Sequence, residues 1–323
     1  MESCLTRYEA VSTHVDVLCP NDYKTLELIG SSSSMADIRN KISKYAASDA
    51  EVLIQGETGV GKGLCAKLIH SLSARAQYPF IEVNCGSIAS GLIASELFGH
   101  QKGAFTGAIA DHIGYIQRSN HGTLFLDEIG DMPSDLQIHL LHFIESKKMQ
   151  RLGSDSSVSV DCRIIAASHV DLKHDVIQGG FREDLYYRLN ILPLYIPALR
   201  ERKADIPDYA QYFLNVLSEG KKKHLSKAVV AYLTRHSWPG NVRELRNVIQ
   251  RAIIMCGDKN ITIADLGLEI ADRQMLPASD TIDSDYLLQV ISDHKHNMSA
   301  AARYMGISRT TLYRLLKKYN LQK

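Results

Sequence analysis

Apolar positions along this chain fall into two regimes. Between about Tyr23 and Arg200, four short runs, EVLIQ (51–55), FIEVN (80–84), TLFLDEI (123–129) and CRIIAAS (162–168), alternate with segments whose apolar residues recur at helical spacing. Runs that are apolar almost throughout suit strands buried on both faces, and the intervening helices supply the covering layers. The pattern predicts an α/β fold, a parallel sheet with helices on both sides.

From Asp205 to about Ala264 the strand pattern fades. After a Pro239-Gly240 turn, Val242, Leu245, Val248, Ile249, Ala252 and Ile253 follow helical spacing, with Asn241 as the expected helix cap. Residues 265–282 lose periodicity and include Pro277, as a linker would, and the chain beyond them is helical again. The expected organisation is a short leader over 1–22, an α/β subdomain over 23–204, a small helical subdomain over 205–264, a linker over 265–282 and an all-α domain over 283–323.

Composition changes this picture little. At 323 residues, 45% hydrophobic and 23% charged, the chain has the make-up of a folded globular protein of two or three domains. Met1–Thr13 lacks the basic start and apolar core of a signal peptide, and no apolar run approaches the roughly 18 residues of a membrane span, so a cytoplasmic protein without a membrane partner is expected. The six cysteines form no CxxC pair and the thirteen histidines no HExxH, so zinc is not indicated. Charge is more informative: from Thr281 onward seven Lys and Arg face three acids, while the whole chain carries only +1. A basic C-terminal segment suits a polyanion, although a solvated helix face carries the same bias.

Chemistry enters at QGETGVGKG, which directly follows the EVLIQ run and precedes the helical LCAKLIHSL. The spacing is that of a phosphate-binding Walker A loop, in which glycines let backbone N–H groups turn inward and a lysine at a helix N-terminus neutralises phosphate oxygens. Gly56, Glu57, Thr58, Gly59, Val60, Gly61, Lys62, Gly63 and Leu64 are the expected nucleotide-binding residues. Gly63 stands where a Ser or Thr hydroxyl usually meets Mg²⁺. TLFLDE downstream has the Walker B layout, with Asp127 to hold Mg²⁺ or its water and Glu128 to polarise the attacking water. ATP and Mg²⁺ are the implied ligands.

Charge developing at the γ-phosphate needs further cations. Arg182 and Arg188 in FREDLYYRLN are candidates, as is Arg243 in WPGNVREL, with surface ion pairs the competing reading for all three. Six helical steps place Arg182 and Arg188 about 120° apart, which suggests separate contacts, while Phe181, Leu185 and Leu189 share a core-facing stripe.

These motifs, together with NCGSIASGLIASELFGHQKGAFTGA and FREDLYYRLNILPLYIPALRERKADI, occur in an order that strongly resembles the AAA+ domain of bacterial enhancer-binding activators of sigma-54 RNA polymerase, over roughly Leu28 to Leu268. The resemblance implies a P-loop ATPase core with a helical lid. It makes Lys62 the phosphate lysine, Asp127 the Mg²⁺ aspartate and Glu128 the catalytic base, with Asn84 restraining Glu128. Arg182 and Arg188 match arginines presented to a neighbouring subunit's nucleotide, Arg243 matches the second sensor, and a homo-oligomeric ring, a hexamer, follows. Gly103, Ala104, Phe105, Thr106, Gly107 and Ala108 form GAFTGA, in that family a surface tip that engages sigma-54. Two departures stand out: family members often have Glu where Gly63 stands, and Ala167-Ser168-His169 replaces the usual Ala-Thr-Asn of the first sensor.

NMSAAARYMGISRTTLYRLLKKYNL has the small-residue run, turn glycine Gly306 and serine cap of a helix-turn-helix. Leu312, Leu315, Leu316 and Tyr319 form its inward stripe; Ser308, Arg309, Thr310, Thr311, Tyr313, Arg314 and Lys317 are the expected DNA-binding residues of a recognition helix. The segment resembles the Fis-type domain of the same activators, which bind upstream enhancer DNA. The leader is too short for a receiver or ligand-sensing domain. Control is therefore expected from expression level, a separate inhibitory protein or a domain outside this sequence. An alternative reading keeps the DNA binding but has the AAA+ domain only oligomerise on nucleotide, its first sensor degraded at Ser168-His169.

Overall fold

In a computed structural model, residues 17–18, 27–218, 223–257 and 260–268 are described, together with Met298, Leu312 and Leu316. Contacts divide the chain into two units, residues 1–266 and 267–323. The first is built on a six-stranded sheet in the order β1-β3-β4-β7-β2-β8, from β1 (Val17–Leu18), β2 (Val52–Gln55), β3 (Phe80–Asn84), β4 (Thr123–Asp127), β7 (Arg163–Ser168) and β8 (Leu192–Tyr195). All its pairings are parallel except that of β1 with β3. A separate hairpin joins β5 (Lys148–Gln150) to β6 (Ser157–Ser159).

The four apolar runs lie at β2, β3, β4 and β7, and alternate residues of each face opposite layers. Leu53, Ile81, Val83, Leu124, Leu126, Ile164 and Ala166 pack into one core, with apolar residues of α3 (Ser90–Phe98), α4 (Tyr115–Arg118), α5 (Ser134–Ser146) and α7 (Glu183–Leu189). Val52, Ile54, Phe80, Phe125, Ile165 and Ala167 pack into the other, with residues of α1 (Ser33–Ala46) and α2 (Lys62–Ser71). Burial on both faces explains why the runs are uniformly apolar; each Val, Leu, Ile or Phe side chain among them contributes about 1.5–3 kcal/mol relative to exposure. Phe181, Leu185 and Leu189 are buried as their spacing predicts. The short α6 (Leu172–Ile177) follows β7.

The helical subdomain comprises α8 (Ile206–Leu217), α9 (Lys227–Arg235) and α10 (Asn241–Cys256). Leu245, Val248, Ile249 and Ala252 of α10 are buried, and Trp238, wholly buried, donates from its indole N–H to the Leu233 carbonyl at 2.8 Å. The cap of α10 differs from expectation. Gly240 occupies the N-cap position, and its N–H donates to the Glu244 carboxylate at 2.8 Å; Asn241 lies one residue further in, with φ 53° and its side chain turned elsewhere.

Of the second unit, Leu312 and Leu316 are helical and buried, one turn apart as the inward stripe requires. Ser308, Arg309, Thr310, Thr311, Tyr313, Arg314 and Lys317 lie outside the described residues. Among the described residues no helix is long and apolar enough to cross a membrane.

Candidate nucleotide site

Parallel register brings the ends of four strands to one edge of the sheet. Gln55 pairs with Ser168 and Asn84 with Asp127, so the loops leaving β2, β3, β4 and β7 meet outside the carboxyl ends of the strands, where open α/β sheets place their ligands. The Gly56 N–H donates to the Ser168 carbonyl at 3.3 Å and starts the turn from β2 toward α2. Gly56, Gly59 and Gly61 all have positive φ, conformations costly for residues with a Cβ. At Gly59 space is equally decisive: a Cβ would stand 2.4 Å from the Gly240 carbonyl oxygen. The glycine lets the lid lie directly on the loop, and the Val242 and Arg243 N–H groups donate to the Gly59 carbonyl at 3.1 and 3.3 Å.

A cavity of about 560 Å³ opens here, lined by Thr58, Gly59, Gly61, Lys62, Gly63, Leu64, Glu82, Asn84, Asp127, Glu128, Phe213, Val242, Arg243 and Arg246. Its size is within the range of small-molecule sites. Lys62, the first residue of α2, is buried; its Nζ donates to the Gly56 carbonyl at 3.1 Å and lies 3.4 Å from Glu128 Oε1. Glu128, just past the end of β4, has φ 51° and ψ 52°. A left-handed glutamate costs about 1–2 kcal/mol, and such outliers cluster at functional sites.

The two acids are tuned apart. Burial and the charge of Glu128 raise the Asp127 carboxyl above its ordinary value, even though its Oδ1 accepts the Glu128 N–H at 3.0 Å. Burial would also raise Glu128, but the hydrogen bond from His169 and the charge of Lys62 outweigh it and hold that group below the ordinary value. A dication at Asp127 would offset the cost of ionising it. Among the described residues no cluster of three or more His, Cys, Asp or Glu could hold a metal. A single carboxylate such as Asp127 in the cavity wall suits Mg²⁺, which keeps waters and takes substrate oxygens. Gly63 adds no hydroxyl; a Cβ there would lie 3.4 Å from Glu82 Oε1.

Three expected loop residues, Gly56, Glu57 and Val60, do not line the cavity. Glu57 pairs with Arg200 through both carboxylate oxygens, at 2.5 and 2.8 Å, and accepts from Asn241 Nδ2 at 3.1 Å. The Arg200 and Asn241 hydrogen bonds pull its pKa down to about 2. The Val60 carbonyl accepts from the buried Arg202, and the Gly56 carbonyl from Lys62. Asn241 is fully buried and ties lid to core: its Nδ2 also donates to the Thr58 carbonyl at 3.1 Å and its Oδ1 accepts the Leu199 N–H at 2.8 Å. The sequence offered no signal for Glu57–Arg200 or for this role of Asn241. Arg246, three residues after Arg243 on α10, was findable by helical spacing.

The remaining site candidates are placed as follows. Asn84 lines the cavity, but its Oδ1 accepts the Ser87 N–H at 2.9 Å; among the described residues the side-chain hydrogen bonds to Glu128 come from Lys62 and His169. Arg182, the N-cap residue of α7, forms an ion pair with Asp184 at 2.7 Å, and Arg188 in the last turn is exposed. Neither lines this cavity. Gly103–Ala108 form a surface turn closed by the Gly103 N–H donating to the Ala108 carbonyl at 2.9 Å. Phe105 is 40% exposed, its ring edge-on to His100 with centroids 5.0 Å apart, and Thr106 is exposed while Ala108 is buried.

Comparison with known proteins agrees with this architecture. Family models match in three consecutive stretches: a sigma-54 interaction domain over residues 28–195, an AAA+ ATPase lid domain over 200–282, and the bacterial regulatory protein, Fis family, over 280–319. Transcriptional regulatory protein ZraR of Salmonella typhimurium is 41% identical over 302 residues, covering 90% of this chain and 68% of that protein. Response regulator protein PilR of Pseudomonas aeruginosa is 42% identical over 307 residues, covering 90% and 69%. Crystal structures of NtrX from Brucella abortus in complex with ADP and with ATP share 34% identity with TM-scores of 0.71 and 0.70, covering 93% and 92% of this chain and 70% of each NtrX chain.

Proposed function

This chain belongs to the family of sigma-54-dependent transcriptional activators, with an AAA+ core, a lid and a Fis-type DNA-binding domain, and from that premise we propose that it hydrolyses ATP in a ring assembly to remodel sigma-54 RNA polymerase into the open complex. The observation that carries the reading is the convergence of Lys62, Asp127 and Glu128 on one cavity, beneath a lid that sets Arg243 in its wall. The NtrX complexes with ADP and ATP support a nucleotide as the ligand.

The site's residues divide the work. Backbone N–H groups at the start of α2 and the Lys62 ammonium bind the phosphates, and the lysine leaves Glu128 Oε1 as it does so. Asp127 would hold Mg²⁺, which when bound neutralises phosphate oxygens. Glu128 Oε1, once free of Lys62, accepts a proton from the attacking water. Arg243 and Arg246 reach the nucleotide from the lid, coupling its presence to lid position. Arg182 and Arg188, exposed and away from their own chain's cavity, are suited to serve a neighbouring subunit, and this favours the ring, a hexamer by family likeness. The exposed Phe105 and Thr106 are the proposed contact with sigma-54.

The tests are ATP turnover of the wild-type chain against Glu128→Gln and capture of sigma-54 with a γ-phosphate transition-state mimic. Thr106→Ala should retain turnover within about twofold, because none of residues 103–108 lines the cavity, yet lose sigma-54 capture by about tenfold or more, that is, about 1.4 kcal/mol or above. Unchanged capture would remove Thr106 from the contact. For the DNA-binding domain, a monomer that neutralises about four phosphates should show a log–log salt slope near −3.6, and a dimer twice that. Fluorescence anisotropy across a salt series measures it, and a slope near zero would deny the Fis-type segment a phosphate-binding role.

A further inference from the structure

We propose that His169 is the positioning residue for Glu128, holding the carboxylate that family likeness has Asn84 restrain. The assignment rests on the ATP-hydrolysis reading above. The two oxygens of the Glu128 carboxylate have different partners. Oε1 faces Lys62 Nζ at 3.4 Å, whereas Oε2 meets the His169 backbone N–H at 3.1 Å and its ring Nδ1 at 2.5 Å. An ionised carboxylate only accepts, so Nδ1 is the donor and carries the proton. Asn84 is engaged with the Ser87 N–H in its own turn.

The asymmetry has a consequence for the chemistry. When Lys62 turns to a phosphate, Oε1 is released while both His169 bonds to Oε2 remain, leaving a carboxylate with one oxygen anchored and one free. A base held in that way loses little orientational freedom on reaching its water. The geometry is strongly supported from below. His169 directly follows the last residue of β7, and the Ser168 carbonyl before it accepts the Gly56 N–H, so the phosphate loop and the anchor are tied together at the ends of the paired strands β2 and β7. Any residue but proline at 169 offers the backbone N–H; the ring Nδ1 is what this chain adds.

Substitutions at 169 separate positioning from bulk. Asn places its amide nitrogen at the same number of bonds from Cβ as Nδ1, so His169→Asn keeps the donor and discards the rest of the ring; His169→Ala discards both. In the full chain, His169→Ala should lower kcat for ATP about tenfold, as expected for loss of one of two charge-assisted bonds, with KM and the affinity for a fluorescent ATP analogue within twofold of wild type. His169→Asn should recover most of that loss, and Asn84→Ala should cost less than His169→Ala. In crystals without nucleotide, the Ala variant should have the Glu128 carboxylate moved from its wild-type rotamer and the Asn variant should retain it.

A His169→Ala kcat within twofold of wild type, an Asn variant as slow as the Ala variant, or an unmoved Glu128 in the Ala crystals overturns the assignment while leaving ATP hydrolysis intact. A wild-type rate no higher than that of Glu128→Gln overturns the hydrolysis reading itself, and the assignment with it.

Discussion

Glu128→Gln should lower ATP turnover by about 10²–10⁴-fold, the range for loss of a general base, while nucleotide affinity stays equal or rises. The amide keeps the shape of the carboxylate but cannot take a proton near neutral pH. It also withdraws the negative charge 3.4 Å from Lys62 Nζ, so the lysine no longer divides itself between Glu128 and phosphate. Because His169 and Lys62 hold the Glu128 carboxyl below its ordinary pKa, it is ionised throughout the neutral range, and turnover should not fall on mild acidification through loss of this base. Phosphate release at saturating ATP gives the rate, and titration with a fluorescent analogue gives the affinity. Background rates in both proteins would favour the alternative in which nucleotide only drives assembly.

Asn241→Ala should be the most damaging single change at the join between lid and core. The side chain is wholly buried and serves Glu57, the Thr58 carbonyl and the Leu199 N–H at once. Its loss strands a buried backbone donor and an acceptor, at about 1–3 kcal/mol each. Asn241 also has φ 53°, which Asn tolerates and Ala does not, adding about 1 kcal/mol. A total of about 3–7 kcal/mol corresponds to a melting temperature lower by roughly 6–28 °C for a unit of this size. Asn241→Gly, which loses the same hydrogen bonds without the backbone cost, should melt above Asn241→Ala. Equal melting of the two would mean that the left-handed backbone contributes nothing, and wild-type melting of both would mean that the three hydrogen bonds do not hold the lid.

The core strands were legible because each is buried on both faces, which leaves an unbroken apolar run. The strand β8 was not. It carries Pro193 and, among the described residues, pairs with β2 alone at the sheet edge, a place where a residue without an N–H is tolerated in a sheet. The β5–β6 hairpin, with strands of three residues, is too short to show a period. Helical spacing identified the buried face of α10 but assigned Asn241 to capping, since a polar residue at a helix start is normally read that way. Its actual partners are 42 to 184 residues distant in the chain.

The sequence by itself determined the class of chemistry. Glycines and a lysine at fixed spacing between a strand and a helix set the turn that the proposed phosphate-binding loop needs, and an apolar run ending in Asp127-Glu128 puts two acids at a strand terminus wherever that strand lies. Only the tertiary structure decided which side chains those acids meet. His169 and Glu128 are 41 residues apart, on loops that leave neighbouring strands, and their meeting is a property of sheet order and register. Local motifs encode the reacting groups because short-range sterics act within a segment; the groups that orient them are chosen by strand pairing, which sequence spacing alone does not reveal.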